Sequence, residues 1–110
     1  MLEIWKQVKD FEGYEISNFG NILSWVNSHG ELRQIPLLKK QYKQKNGYLY
    51  VGLSKNGKLY NKLVHRLILI TFLQKLENKK FSNHINGIKT DNRLDNLEWV
   101  TRSENQNHAY

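Results

Sequence analysis

The chain has 110 residues, enough for one compact domain or two closely packed halves. Its 17 Lys and Arg residues outnumber 10 Asp and Glu residues, and the resulting net charge of +7 fits a polyanionic partner as well as it fits a basic protein with no nucleic-acid role. The chain has no cysteine, which excludes disulfides and thiolate metal sites and fits a cytoplasmic location, and no apolar run approaches the ~18 residues of a membrane span.

The first 63 residues predict short strands separated by turns. A polar turn at 17–21 has apolar residues on both sides, which is typical of a hairpin. The segment Tyr48–Ser54 is rich in strand-forming side chains. Asn56-Gly57 follows as a two-residue hairpin signal, so residues 58–63 are expected to form the return strand.

The remaining residues predict a helix and then a smaller mixed unit. Val64–Leu73 is apolar nearly all round, which favours a buried helix, although its β-branched and aromatic residues also allow a strand. A polar loop is expected at 74–80. Two short strands are expected around 81–84 and 97–100, with a long loop between them and a helix after them. The fold class is therefore predicted as α+β, with antiparallel strands.

Three polar residues near the end of the chain have a spacing that indicates a catalytic site. Asn96 follows His84 by twelve residues, and Asn105 follows Asn96 by nine. Phosphodiester hydrolysis needs a base to activate water and a cation to stabilise the departing oxygen. A neutral imidazole is a suitable base near neutral pH. A lone histidine is more often structural, so the hypothesis depends on the spacing.

With these residues in place, the stretch from Val64 to His108 resembles the HNH endonucleases, in particular the phage and intron-encoded homing type. The segments 4–6 and 13–22 resemble the NUMOD-type module that often precedes this nuclease domain. The resemblance implies a β-rich, DNA-associated module at 1–63 and an HNH ββα-metal unit, or His-Me finger, at 64–110.

The same resemblance implies a function. It implies a metal-dependent endonuclease of phage or mobile-element type that hydrolyses phosphodiester bonds in double-stranded DNA by nicking or cutting, in the cytoplasm of a bacterial or phage-infected cell. The alternative is a non-catalytic DNA-binding module that retains the HNH scaffold.

The resemblance also assigns roles to individual residues. His84 would be the general base, and Asn96 would fix the loop so that the base points correctly. One divalent ion, Mg²⁺ or Mn²⁺, would be held by Asn105 and Asn83, with His108 as a second helical ligand, a phosphate contact or simply a frayed terminal residue. Many relatives carry aspartate where this chain has Asn83, which implies weak metal binding without DNA.

Basic residues in both halves are candidates for contact with the DNA backbone, where each neutralised phosphate adds to the salt dependence of binding. The alternative for each is an ordinary solvated surface residue. His65, in a Val-His-Arg-Leu sequence that matches the family, is either a buried residue that orients the helix or a phosphate contact. The nucleic-acid-binding candidates are Lys39, Lys40, Lys43, Lys45, Lys55, Arg66, Arg93 and Arg102.

Overall fold

The computed structural model describes residues 2–27, 29–73 and 81–103, which form three antiparallel sheets around a nine-residue helix. The first sheet contains β1 (Trp5–Gln7), β2 (Tyr14–Ser17), β3 (Ile22–Val26) and β4 (Leu32–Leu38), in chain order. The second contains β5 (Tyr42–Lys43), β6 (Leu49–Lys55) and β7 (Lys58–Leu63). The helix α1 (Val64–Phe72) follows, and the third sheet pairs β8 (Phe81–His84) with β9 (Leu97–Val100).

Both predicted hairpins are present, because each turn has residues suited to its backbone. In the β6–β7 turn, Asn56 and Gly57 have φ values of 53° and 77°, the left-handed conformation that this tight hairpin requires. In the β2–β3 turn, the Ser17 hydroxyl accepts hydrogen bonds from the backbone N–H groups of Phe19 and Asn21, both at 3.2 Å. The predicted antiparallel strands of the N-terminal half are therefore confirmed.

The helix predicted for the apolar segment 64–73 is also confirmed, and the alternative prediction of a strand is wrong. Helix α1 begins immediately after β7, and Leu73 ends it in an extended conformation. Its Val64, Ile68 and Leu69 are fully buried. An isolated helix of this length is marginal in water, so burial against the sheets stabilises it.

One core lies between the helix and strands from all parts of the described chain. The Tyr14 hydroxyl accepts a hydrogen bond from the Ser54 backbone N–H (2.9 Å), which ties the first sheet to the second. Trp99 is buried and fills part of this core. The largest fully buried apolar residues are Ile16, Ile22, Leu53, Ile68 and Leu69.

The third sheet has the predicted strand limits, with Asn83 opposite Glu98 and His84 opposite Leu97. The helix expected after it falls almost wholly on residues 104–110, outside the described residues, while 102 and 103 have helical backbone. The ββα-metal arrangement therefore stays a prediction. The fold that is established is α+β, with antiparallel strands and a helix in mid-chain.

Candidate active site

His84 ends strand β8 with its imidazole held among polar and aromatic side chains. The residue is 5% exposed. Its Nε2 lies 2.7 Å from Oδ1 of Asn92, a buried residue in the loop between β8 and β9. Because an amide oxygen can only accept, Nε2 carries the proton and donates it to Asn92. Nδ1 is then the basic nitrogen of the neutral ring.

Two further rings pack against this imidazole. The centroid of His65 lies 4.9 Å from that of His84, and the centroid of Tyr48 lies 5.7 Å from it. Tyr48 and His65 also contact each other, at 4.9 Å between centroids. The Nζ of Lys89 lies 5.0 Å from the centre of the Tyr48 ring and donates to the Asn46 carbonyl. The hairpin before β6 and the helix thus both reach the ring of His84.

His65 is kept neutral by its surroundings. Burial, together with the nearby His84 and Arg66, lowers its pKa from 6.5 to about 3. Within the described part of the chain its Nδ1 has no hydrogen-bond partner. The structure therefore places His65 as a buried ring at the site, and its role in orienting the helix stays a prediction.

Asn96 closes the loop that follows His84. Its Oδ1 accepts from the Asn86 backbone N–H at 3.0 Å, and its Nδ2 donates to Asn86 Oδ1 and to the Asp91 carbonyl, both at 2.9 Å. The Asn96 carbonyl accepts from the Ile85 backbone N–H at 2.8 Å. These bonds join the start of the loop to its end. Asn96 thus holds the loop, and its service to catalysis stays a prediction.

A surface ion pair supports the same loop. Arg93 donates two hydrogen bonds of 2.9 Å to the Asp91 carboxylate, which also accepts from Asn86 Nδ2 at 2.8 Å. Arg93 and Asn86 lower the pKa of Asp91 to about 2, and Asp91 in turn raises the pKa of Arg93. Arg93, a DNA-contact candidate, is therefore already engaged by a carboxylate.

Of the predicted metal ligands, the structure places one. Asn83 is buried on β8, and its Nδ2 donates to Oε1 of Glu98 on β9 at 3.0 Å. This bond leaves the Asn83 oxygen as the atom that could ligate a cation. Asn105 and His108 lie outside the described residues. Within 2–27, 29–73 and 81–103, no three His, Cys, Asp or Glu side chains cluster as a metal site.

The other basic candidates lie on different parts of the surface. Arg66 is half-buried, with its guanidinium 5.3 Å from the centre of the Trp99 ring. Lys39 and Lys40 line a groove of about 300 Å³ on the second sheet, beside Tyr42 and Asn61. The remaining candidates, all exposed, are Lys43, Lys45, Lys55 and Arg102.

Two neighbours of His84 were not foreseen as such. Asn92 is not among the site residues predicted from the sequence, and Tyr48 was expected only to start a strand. A polar residue eight positions after a candidate base, in a loop held by Asn96, is a signal that could have pointed to Asn92. Tyr48 lies 36 residues before His84, and no local pattern links the two.

Comparisons with known proteins place both halves of the chain among described families. Residues 62–107 match the family model described as HNH endonuclease, and residues 3–54 match the NUMOD4 motif. Residues 62–107 therefore belong to the HNH endonuclease family. The predicted resemblance, including the NUMOD-type N-terminal half, is confirmed.

Individual relatives extend the match over nearly the whole chain. An uncharacterized HNH endonuclease of Acanthamoeba polyphaga mimivirus is 45% identical over 97% of this chain and 26% of its own length. The DNA endonuclease I-HmuI of Bacillus phage SP01 is 37% identical over 92% of this chain and 54% of its own length. The chain thus spans about half, or less, of these relatives.

A solved structure shares the fold. It is described as DNA binding and cleavage by the HNH homing endonuclease I-HmuI, and it superposes with a TM-score of 0.78 at 35% identity. The match covers 94% of this chain and 56% of the solved chain. Among the described residues, no helix is long and apolar enough to cross a membrane.

The depressed pKa of His65 predicts acid-sensitive stability. The neutral ring is favoured in the folded chain, so its contribution is present above pH 6.5 and is lost as the pH falls toward 3. Between pH 7 and pH 5 the loss amounts to about 2 kcal/mol. The variant H65F keeps a buried aromatic ring that cannot be protonated. Its free energy of unfolding should therefore fall by about 2 kcal/mol less than that of the wild-type protein over the same pH range. Urea unfolding at both pH values measures the difference.

An exposed histidine provides the control. His29 is an exposed residue between β3 and β4, so H29Q removes a histidine from the surface and should keep the pH dependence of the wild-type protein. Equal pH dependence in H65F and the wild-type protein would contradict the prediction.

Proposed function

We propose that this chain forms the catalytic part of a metal-dependent endonuclease that hydrolyses phosphodiester bonds in double-stranded DNA by nicking or cutting. The observation that carries the proposal is the His84 imidazole, whose Nε2 donates to Asn92 so that Nδ1 is the basic nitrogen. Family membership and the likeness to I-HmuI, a phage enzyme described as binding and cleaving DNA, support it.

In this proposal His84 acts as general base. Its Nδ1 accepts a proton from a water molecule, and the water oxygen forms a bond to phosphorus while the bond from phosphorus to the 3′ oxygen breaks in line. Asn92 keeps the proton on Nε2, and Tyr48 and His65 restrict rotation of the ring. Asn96 holds the geometry of the loop.

The Asn83 position partly fits a divalent ion. The Glu98 carboxylate fixes the Asn83 amide and adds a negative charge beside it, while the amide itself brings none. A hard cation such as Mg²⁺ prefers one or two carboxylates. We propose that Asn83, with Asn105 and His108, holds one Mg²⁺ or Mn²⁺ weakly without DNA. The ion would stabilise the leaving 3′ oxygen.

The groove on the second sheet supports DNA binding. Lys40 Nζ lies 5.4 Å from the centre of the Tyr42 ring, and the Tyr42 and Tyr50 rings are 5.7 Å apart. Lysines beside exposed aromatic rings suit a phosphate backbone with adjacent sugars or bases. We propose that Lys39 and Lys40 contact phosphates, with the other basic candidates along the same DNA.

One observation favours a second candidate function. The strand position before the candidate base holds an uncharged amide, Asn83, which is already hydrogen-bonded to Glu98. A chain with an amide at this position could bind DNA on the HNH scaffold without cutting it. Cleavage assays separate the two functions.

We expect the protein to convert supercoiled plasmid to nicked or linear DNA in Mg²⁺ or Mn²⁺, and EDTA to abolish the conversion. Because a general base contributes 10²–10⁴-fold, H84A should slow cleavage by about 100-fold or more. H29A, which removes an exposed histidine, should leave the rate unchanged. Agarose gels of a time course measure the rates. Cleavage that persists in H84A would contradict the assignment of His84 as the base. If neither the wild-type protein nor either variant cleaves DNA, the result would favour the non-catalytic binding module.

Substituting Asn83→Asp should make stability depend on metal. The new carboxylate would face Glu98 across the β8–β9 pair, and like charges directly opposite each other destabilise a sheet. A bound cation would relieve the repulsion and stabilise the folded state. We therefore expect N83D to have a lower melting temperature than the wild-type protein in EDTA. Addition of Mn²⁺ should raise the melting temperature of N83D by more than it raises that of the wild-type protein.

The double variant N83D/E98Q separates repulsion from ligation. Removing the opposing charge should restore most of the melting temperature in EDTA. If Mn²⁺ raises the melting temperature of N83D no more than that of the wild-type protein, Asn83 is removed from the set of ligands.

The lysines of the groove should account for part of the salt dependence of DNA binding. The double variant K39Q/K40Q is expected to reduce the slope of log K against log salt by about 1.8, since each phosphate contact on duplex DNA contributes about 0.9. K6Q/K9Q, which has the same net charge but loses Lys6 of β1 and Lys9 of the following turn, should keep the wild-type slope. Fluorescence anisotropy with labelled duplex measures both, and identical slopes for the two variants would contradict the placement.

A further inference from the structure

The β2–β3 turn of the N-terminal half reaches the loop that carries Asn92. The carbonyl of Asn18 accepts a hydrogen bond from the Leu94 backbone N–H at 2.8 Å. Asn18 is itself buried, and its side chain accepts from the Ile4 backbone N–H at 2.7 Å. The turn is therefore anchored on the first sheet and bonded to the loop of the candidate site.

Gly20 brings the same turn into direct contact with Asn92. It has a φ of +91°, and a Cβ built on it would lie 3.2 Å from the Asn92 carbonyl oxygen and 3.3 Å from the Asn92 Cβ. Its own carbonyl accepts a hydrogen bond from Gln41 Nε2 at 2.6 Å, which holds the turn from the other side. A side chain at this position would push Asn92 by a few tenths of an ångström.

Asn92 has little else to fix its side chain. Its Oδ1 accepts from His84 Nε2, but among the described residues its buried Nδ2 has no hydrogen-bond partner. The position of the amide therefore depends on where the backbone of Asn92 lies, and Gly20 packs against that backbone. A small displacement there is transmitted directly to the 2.7 Å bond with the imidazole.

We propose that the Asn18–Gly20 turn is a positioning element for the His84 imidazole, with Gly20 acting through Asn92. The N-terminal half thus sets the orientation and the tautomer of the candidate base, in addition to any contact it makes with DNA. The consequence for cleavage rests on the proposed function. The effect on the ring does not, so it can be tested in a protein that cuts nothing.

The test compares two glycine substitutions with the same backbone cost. Gly20→Ala adds a methyl group against Asn92, whereas Gly30→Ala adds one at a φ of +78° with no atom of the described residues within 4 Å. Both incur the strain of a left-handed alanine, and only one touches the loop. Long-range ¹H–¹⁵N spectra report which nitrogen of His84 carries the proton, and plasmid cleavage reports the rate at saturating DNA and the DNA concentration for half-maximal rate.

We expect the wild-type protein and G30A to show the proton of His84 on Nε2. G20A should show shifted ring signals and a mixture of tautomers. Its maximal cleavage rate should fall on the order of tenfold at an unchanged half-saturating DNA concentration, since displacements near 1 Å cost about 100-fold. Unchanged His84 signals in G20A, or equal changes in G20A and G30A, would overturn the proposal.

Two substitutions at Asn92 and one at Gln41 test the proposal independently, in case G20A does not fold. N92D keeps an oxygen acceptor and should retain the Nε2 proton, whereas N92L removes the acceptor and should lose that preference. Q41A releases the Gly20 carbonyl and should shift the ring signals less than G20A does. If N92L keeps the wild-type tautomer, or Q41A leaves the ring signals unmoved in a folded protein, the turn does not position the base. If the spectra change as expected but neither the wild-type protein nor any variant cuts DNA, the proposed function fails while this inference stands.

Discussion

The hydrogen bond between His84 and Asn92 is the constraint on which the candidate site depends. An amide oxygen can only accept, so its contact with Nε2 decides which ring nitrogen is basic. The bond lies in a loop, and a loop holds a geometry only if its own polar groups are satisfied. Asn96 provides this by joining the two ends of the loop through its side chain and backbone. The Asp91–Arg93 pair adds a brace on the solvent side.

The second feature of the site is that two imidazoles are buried side by side. The ring centroids of His65 and His84 lie 4.9 Å apart, and a proton on His65 would place a positive charge beside the candidate base. Burial and the two nearby basic groups prevent this, because they lower the pKa of His65 far below neutrality. His65 therefore acts at physiological pH as an aromatic packing surface. Tyr48 completes the enclosure from the opposite half of the chain.

Local features of the sequence predicted the parts of the fold that local chemistry decides. Asn56-Gly57 predicted a hairpin because few other residue pairs adopt its conformation, and the limits of β8 and β9 match the two short strands expected on either side of a polar loop. Strand β4 (Leu32–Leu38) was not predicted. It is largely exposed and contains Pro36, so its sequence lacks the alternation of apolar and polar residues that a half-buried strand shows. Spacing and the family resemblance singled out His84 and Asn96, whose roles in catalysis stay predictions. The contacts of Gly20 and Tyr48 with the loop or ring join residues far apart in sequence, so no local pattern predicts them.

These long-range contacts bear on how the two halves work together. The predicted division near residue 63 falls at the junction of β7 and α1, where strand passes into helix without a linker, and it stays a prediction. The imidazole of His84 is held by a loop from one side of that junction, and the loop in turn packs on a turn from the other side. Tyr48 crosses the same junction to reach the ring. If residues 64–110 were separated from the first half, they would keep the residues that match the HNH spacing but lose the surface that fixes Asn92. The NUMOD4-matching half is thus structurally part of the candidate active site, because one side of the base's support is built from it.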